Sequence, residues 1–248
     1  MRRVLLITGA GRGIGAATAR LAAARGYDVA VNFASNAKAA ERVVADAERA
    51  GAQAVAIQAD VAQEAEVERL FAETERRLGP LWGLVNNAGI VGRASRLDAA
   101  DAATIKAVID LNVLGAFLAA RAAVRRLSTA HGGKGGVIVN VSSGAATLGS
   151  PGDFIWYAAS KAAIDTLTIG LAREVAQEGV RVNAVAPGLV DTDIHDSTGI
   201  SGRVAAMSPS IPLGRAGTAE EIAETILFLL SDASSYVTGA VLRVAGGR

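Results

Sequence analysis

Short runs of consecutive apolar residues alternate along this chain with longer stretches whose apolar positions recur every three or four residues. The apolar runs at 4–8, 28–33, 54–58, 84–86, 137–141, 181–185 and 241–244 predict seven strands. The stretches between them predict helices at 13–25, 38–50, 63–78, 99–112, 113–130, 157–178 and 219–231. In the third of these, Val67, Leu70, Phe71, Thr74 and Leu78 fall on one face, and Gly79-Pro80 ends it. Gly26 and Gly51 stand where helices commonly finish. The last helix opens with Thr218-Ala219-Glu220-Glu221, the spacing of a capping box. Strands as uniformly apolar as Gly136-Val137-Ile138-Val139 are buried on both faces, as in a parallel sheet covered by helices. Regular β-α alternation therefore predicts an α/β, doubly wound, seven-stranded parallel sheet with helices on both faces, a Rossmann fold. No linker or change of composition interrupts the pattern, so residues 1–248 are expected to form a single domain. The exception is the segment at about 189–215, which carries Gly199, Gly202, Pro209, Pro212 and Gly214 and is predicted to be a substrate lid.

Composition narrows the function classes. The chain is 51% hydrophobic and 20% charged, ample for a large core. Its 25 basic and 24 acidic residues leave a net charge of +1, which predicts no nucleic-acid or anionic-membrane partner. Zero cysteines exclude disulfides and thiolate metal sites. The two histidines, His131 and His195, stand in no metal-ligand pattern, so no metal is expected. His131 reads as a solvated helix end, and His195 lies in the predicted lid, with a substrate contact as the lesser alternative. The charged start Met1-Arg2-Arg3 precedes an apolar run that stops at Thr8-Gly9, too short for a signal core or a span. A cytoplasmic location is expected.

The stretch Thr8-Gly9-Ala10-Gly11-Arg12-Gly13-Ile14-Gly15 joins the first strand to the first helix. Glycines there permit a tight turn and close approach to a pyrophosphate, whose charge the helix N-terminus favours. A tight turn with no ligand is the plainer alternative. Together with Asn86-Asn87-Ala88-Gly89, Asn112 in Leu111-Asn112-Val113, Tyr157-Ala158-Ala159-Ser160-Lys161, and Pro187-Gly188 with Thr192, the pattern resembles the classical short-chain dehydrogenases/reductases over essentially the whole chain. Five blocks in the right order carry that resemblance.

Tyr157 and Lys161 are four apart, so both project from one helix face. A free tyrosine has a pKa of about 10, too high for proton transfer at neutral pH, and a nearby ammonium favours the phenolate. The pair is expected to form an acid/base unit. The resemblance implies that Tyr157 exchanges the proton with the substrate oxygen, that Lys161 also holds the nicotinamide ribose, that Ser143 steadies the oxygen, and that Asn112 sustains a water chain toward the lysine. Ser142 is the alternative to Ser143; Ser143 precedes Tyr157 by 14 positions where the family commonly shows 13, and Gly149-Ser150-Pro151-Gly152-Asp153 resembles the loop of members with a one-residue insertion. The expected cofactor-binding set is Gly9, Arg12, Gly13, Ile14, Gly15, Ser35, Asn36, Asp60, Val61, Asn87, Ala88, Gly89, Tyr157, Lys161, Pro187, Gly188, Val190 and Thr192. Asp60 reads equally well as a helix cap. Trp156, Phe154 and Ile155 are expected chiefly in the core, with pocket lining as the alternative.

The second strand ends Asn32-Phe33-Ala34-Ser35-Asn36, without the carboxylate that would bond an adenosine ribose 2′-hydroxyl. The resemblance places Arg12 as in NADP-using members, where the guanidinium faces the 2′-phosphate, so NADP is the expected cofactor, with NAD the alternative. The expected substrate is a small carbonyl or secondary alcohol. An acyl-carrier substrate would need a basic patch, for which Arg121, Arg125 and Arg126 are candidates. A sugar would need polar lid groups such as Asp191, Asp193, Asp196 and Ser197. The competing class is a sensor or structural protein that binds NADP(H) without turnover. The resemblance further implies a homotetramer, or a dimer, built on the Tyr157 helix and on 236–241. Ala245 stands where relatives often carry aspartate.

Overall fold

The computed structural model describes residues 2–200 and 202–248, without the side chains of residues 195–197. Seven strands form one sheet: β1 (Arg3–Ile7), β2 (Tyr27–Phe33), β3 (Ala54–Gln58), β4 (Leu81–Asn86), β5 (Gly136–Val141), β6 (Val180–Pro187) and β7 (Val241–Val244). All neighbours pair in parallel, in the order β3-β2-β1-β4-β5-β6-β7. The order reverses between β1 and β4, and this is where a doubly wound sheet leaves a crevice at its strand C-termini.

Alternate strand residues feed two apolar layers. Leu5 and Ile7 of β1, with Val137 and Val139 of β5, face α1 (Gly13–Ala24), α2 (Ala37–Arg49) and α9 (Ala219–Leu230). Leu6 and Ile138 face the other way, toward α3 (Glu64–Leu78), α5 (Ala116–Leu127) and α7 (Ile155–Val175). Burial on both faces is what the unbroken apolar runs require. The capping box on α9 is present: Thr218 Oγ1 accepts from the Glu221 amide, and Glu221 accepts from the Thr218 amide.

Two elements differ from the sequence expectation. Strand β4 begins at Leu81 rather than 84. Gly83 sits inside it because a Cβ there would stand 3.0 Å from the Val137 carbonyl oxygen and 3.2 Å from Leu5. The helices expected at 99–112 and 113–130 are one run, Ala102–Leu127, in which α4 (Ala102–Ile109) passes through a π-helical segment, Asp110–Gly115, into α5. No breaker separates them, so the extra residue is absorbed as a π-bulge, a feature that often marks a functional site. The run is apolar and long enough to cross a membrane, yet half of its most apolar window is buried in the fold, as in a core helix.

After β5 come α6 (Ala145–Leu148) and the loop to α7. The 189–215 segment contains a 3-10 turn at Asp193–Thr198 and the short α8 (Arg203–Met207). Its base is pinned by a Val190–Gly217 bridge, with Gly217 N donating to Leu189 O and Asp191 N to Gly217 O, both at 3.0 Å.

Candidate active site

The crevice at the β1/β4 reversal opens into a cleft of about 1570 Å³, larger than the ~300–1,000 Å³ of a typical small-ligand pocket. At one end lies the glycine turn. Gly9 and Gly13 hold φ of 62° and 52°, left-handed values that side chains resist. A Cβ on Gly9 would stand 2.9 Å from Ala88 Cα, so the turn lies flat against the Asn87–Gly89 segment. Asn87 fastens them, donating to Thr8 O at 2.9 Å and Gly9 O at 3.1 Å, while the Thr8 hydroxyl accepts from the Asn87 and Ala88 amides. Asn32 at the end of β2 accepts from Gly9 N at 3.1 Å. Arg12 at the N-cap offers no side-chain cap to α1, and the first turn carries no acid. The leading amides of α1 thus meet the cleft uncapped by any side chain, a cradle for an anion.

Of the expected cofactor set, Gly9, Arg12, Gly13, Ile14, Ser35, Asn36, Asp60, Val61, Asn87, Ala88, Gly89, Tyr157, Lys161, Pro187, Gly188, Val190 and Thr192 all line this cleft. Gly15 does not. It lies behind the turn, where a Cβ would meet Asn87 Nδ2 at 2.6 Å and Gly9 O at 2.7 Å. Asn36 also caps α2, accepting from Ala39 N at 3.0 Å. Asp60 walls the cleft, and the helix-cap alternative is corrected: its Oδ1 accepts from Ala62 N in the turn before α3, whose N-cap is Gln63 without a side-chain cap. Arg42 lines the same end beside Ser35 and Asn36 and was not singled out by sequence. Its only signal there was a helix-surface arginine, indistinguishable from its neighbours.

At the other end, α7 brings Tyr157 and Lys161 into the cleft. The Lys161 ammonium donates to Val141 O at 2.8 Å and lies 5.7 Å from the centre of the Tyr157 ring. Burial raises the Tyr157 phenol above its ordinary pKa, and a hydrogen bond with the Ser143 hydroxyl partly offsets it. Burial also lowers Lys161 to about 8, against the pull of Asp165. The expected lowering of the tyrosine pKa by the ammonium is therefore not found in this geometry: the ammonium sits by the ring and bonds a carbonyl, and desolvation dominates. The two serines separate. Both line the cleft, but Ser143 meets Tyr157, whereas Ser142 is buried and donates to Lys161 O at 3.1 Å. Asn112, in the π segment, lies beneath the cleft floor. Its amide nitrogen donates to Ile90 O at 2.8 Å and Ser160 Oγ at 3.0 Å, and its oxygen accepts from Ile90 N at 2.9 Å.

Beside Tyr157 the cleft is walled by Val91, Leu148, Phe154, Leu189, Ile194 and Met207. Phe154 packs edge-on against Tyr157 at 5.8 Å, and Trp156 is buried with its Nε1 donating to Val91 O, a core anchor as expected. Arg203 of α8, unremarked in the sequence, lies 4.8 Å above the Phe154 ring and pairs with Asp153 at 2.8 Å. Asp193 lines the cleft and Asp191 does not. The side chains of His195, Asp196 and Ser197 lie outside the described residues. His131 is an exposed residue closing a 3-10 turn. The arginines considered for an acyl-carrier patch each meet an acid of α3: Arg121 pairs with Glu64, Arg125 with Glu68 at 3.4 Å, and Arg126 with Glu75 at 3.0 Å. These arginines face the acidic side of α3, away from the cleft.

Residues 9–248 match the family model described as Enoyl-(Acyl carrier protein) reductase. Uncharacterized oxidoreductase YgfF of Escherichia coli strain K12 is 49% identical over 245 residues, 99% of each chain. The chain belongs to the classical short-chain dehydrogenase/reductase family. Among solved structures of this family, a short chain dehydrogenase from Burkholderia cenocepacia J2315 in complex with NADP superposes with a TM-score of 0.90 at 36% identity, covering 99% of this chain and 97% of that one. A 3-ketoacyl-(acyl-carrier-protein) reductase from Brucella melitensis complexed with NADH does so with a TM-score of 0.91 at 32% identity, covering 99% and 98%. As a short-chain dehydrogenase/reductase, the protein is an oxidoreductase, and its seven-stranded parallel sheet is the family's Rossmann fold.

Proposed function

We propose that this oxidoreductase interconverts a carbonyl and a secondary alcohol with NADP(H), and that Tyr157 exchanges the proton. The observation that carries this reading is that Tyr157, Ser143 and Lys161 share one cleft with the anion cradle at the start of α1. The fit of a dinucleotide rests on the uncapped α1 amides and on glycines too close to Ala88 and Asn87 to bear side chains. When bound, the nicotinamide supplies or accepts the hydride at the substrate carbon. Tyr157, kept protonated by burial, donates its phenolic proton to the carbonyl oxygen as the alcohol forms, and withdraws it in reverse. Ser143 orients that oxygen from the other side. Lys161 steadies the phenolate that remains, and Asn112 fixes the backbone at Ile90 beneath it.

Arg12 and Arg42, beside Ser35 and Asn36, favour a 2′-phosphate, and the absence of a carboxylate at the end of β2 removes what an unphosphorylated ribose would bond. The apolar wall around Phe154 and Met207 favours a carbonyl with a hydrophobic body. The 189–215 segment acts as the lid of a single domain. Exposed Leu114 and Phe117 near the π segment, Ile155 and Ile169 on α7, and Tyr236 and Leu242 toward the C-terminus supply two apolar faces, which suits a homotetramer in the cytoplasm. A panel of aldehydes, ketones and alcohols, followed at the NADPH absorbance with either cofactor, tests the reading. Turnover with an NADPH advantage is expected; tight NADPH binding with no turnover would identify a sensor instead.

A further inference from the structure

Asp165 follows Lys161 by one helical turn on α7. Its Oδ1 is buried and has no hydrogen-bond partner among the described residues. A carboxylate oxygen left in that condition costs free energy, so packing alone does not account for it. The next turn shows what a settled polar residue looks like there: Thr168 donates to Ile164 O and accepts from Asn140 Nδ2. Ser142 lies beside both residues: its hydroxyl donates to the Lys161 main-chain O at 3.1 Å, while burial raises the Asp165 carboxyl above its ordinary pKa and the neighbouring Ser142 hydroxyl and Lys161 charge partly offset that rise.

We infer that Asp165 is a positioning residue that, with Ser142, supports the buried Lys161 ammonium one helical turn away, which extends the role proposed above for the Tyr157–Lys161 pair. The groups facing Lys161 leave Asp165 to do this. On α7 they are Tyr157 and Asp165. From the end of β5 come the Val141 carbonyl, Ser142 and Ser143, from the π segment Asn112, and from the turn after β4 Gly89, all neutral. Asp165 in turn faces Ser142 and Lys161. Burial holds Lys161 down at about 8, and the Asp165 charge opposes that fall.

The test follows the Cε resonance of Lys161 against pH in protein carrying 13C-labelled lysine, the signal being assigned by its loss in Lys161→Met. The midpoint is expected near 8 in the native protein. It moves to lower pH in Asp165→Asn, moves the same way in Ser142→Ala, and returns in Asp165→Glu. The alkaline limb of carbonyl reduction shifts in the same direction. An unchanged midpoint in both Asp165→Asn and Ser142→Ala overturns the inference, whatever happens to thermal stability, because a purely structural carboxylate would alter melting alone. Should Lys161→Met retain full turnover, the acid/base reading fails, while the titration still reports on Asp165 independently.

Discussion

Arg203 pairs with Asp153 at 2.8 Å and stacks over Phe154, so one side chain of the 189–215 segment clasps the loop leading into α7. Its guanidinium side is only 12% exposed, which places the pair between a surface salt bridge and a buried one. Breaking it should cost about 1–2 kcal/mol of lid docking. Arg203→Ala and Asp153→Asn are expected to raise the substrate KM about tenfold with a smaller change in kcat. Both should also speed proteolytic cleavage within 189–215. Unchanged KM and unchanged cleavage would remove the lid from the account.

Gly15 is a close-packed position behind the turn. A Cβ there meets Asn87 Nδ2, Gly9 O and Ala10 Cα at 2.6, 2.7 and 2.9 Å, and two of these three are backbone atoms that cannot step aside. Gly15→Ala should destabilise the fold by about 1–3 kcal/mol, read as a lower melting temperature, and weaken NADPH binding through the displaced turn. Gly170, where a Cβ meets nothing within 4 Å, is the control and should tolerate alanine.

The proposed preference for NADP(H) rests on two arginines. Losing a charged hydrogen bond to a phosphate is worth about 1.5–3 kcal/mol, so Arg12→Ala should lower kcat/KM for NADPH about ten- to hundredfold. Arg42→Ala should act in the same direction. The values for NADH should scarcely move in either variant. An equal loss with both cofactors would show that these arginines support the turn rather than read the 2′-phosphate.

Much of this arrangement is legible in the chain because local rules and global fold agree. The seven strands carry apolar runs suited to burial on both faces, and the glycine turn sits where only glycine fits against Asn87 and Ala88. What the sequence hides is long-range. Arg203 and Asp153 are 50 positions apart and meet only in the folded chain. Arg121, Arg125 and Arg126 look like a free basic patch until α3 is laid beside α5. The continuous Ala102–Leu127 run reads as two helices in the sequence because periodicity slips by one residue through a π segment. The raised Tyr157 pKa was hidden too, since desolvation depends on the surrounding walls, not on the spacing of tyrosine and lysine.

The Lys161 value sets a pH signature. In the folded protein burial brings it to about 8, below the ~10.4 of an unfolded chain. The ammonium is the form that steadies the phenolate, so carbonyl reduction should decline as pH rises through about 8. Stability runs the other way. Between those two values the unfolded state binds more protons, so this residue adds stability as pH rises across the window and withdraws it as pH falls back through the folded value. Urea unfolding of native and Lys161→Met protein near pH 8 and pH 10 checks the sign, and a stability gain with pH that is identical in both would contradict it.

The phenol of Tyr157 carries the central claim. Tyr157→Phe removes one oxygen and leaves the glycine turn, the α1 amides and Lys161 in place, so NADPH titration should return a dissociation constant close to the native one. Single-turnover reduction of the best carbonyl from the panel should slow by about a hundred- to ten-thousandfold, the range of a lost general acid. A phenylalanine variant that binds the cofactor and still turns over at the native rate would contradict the account.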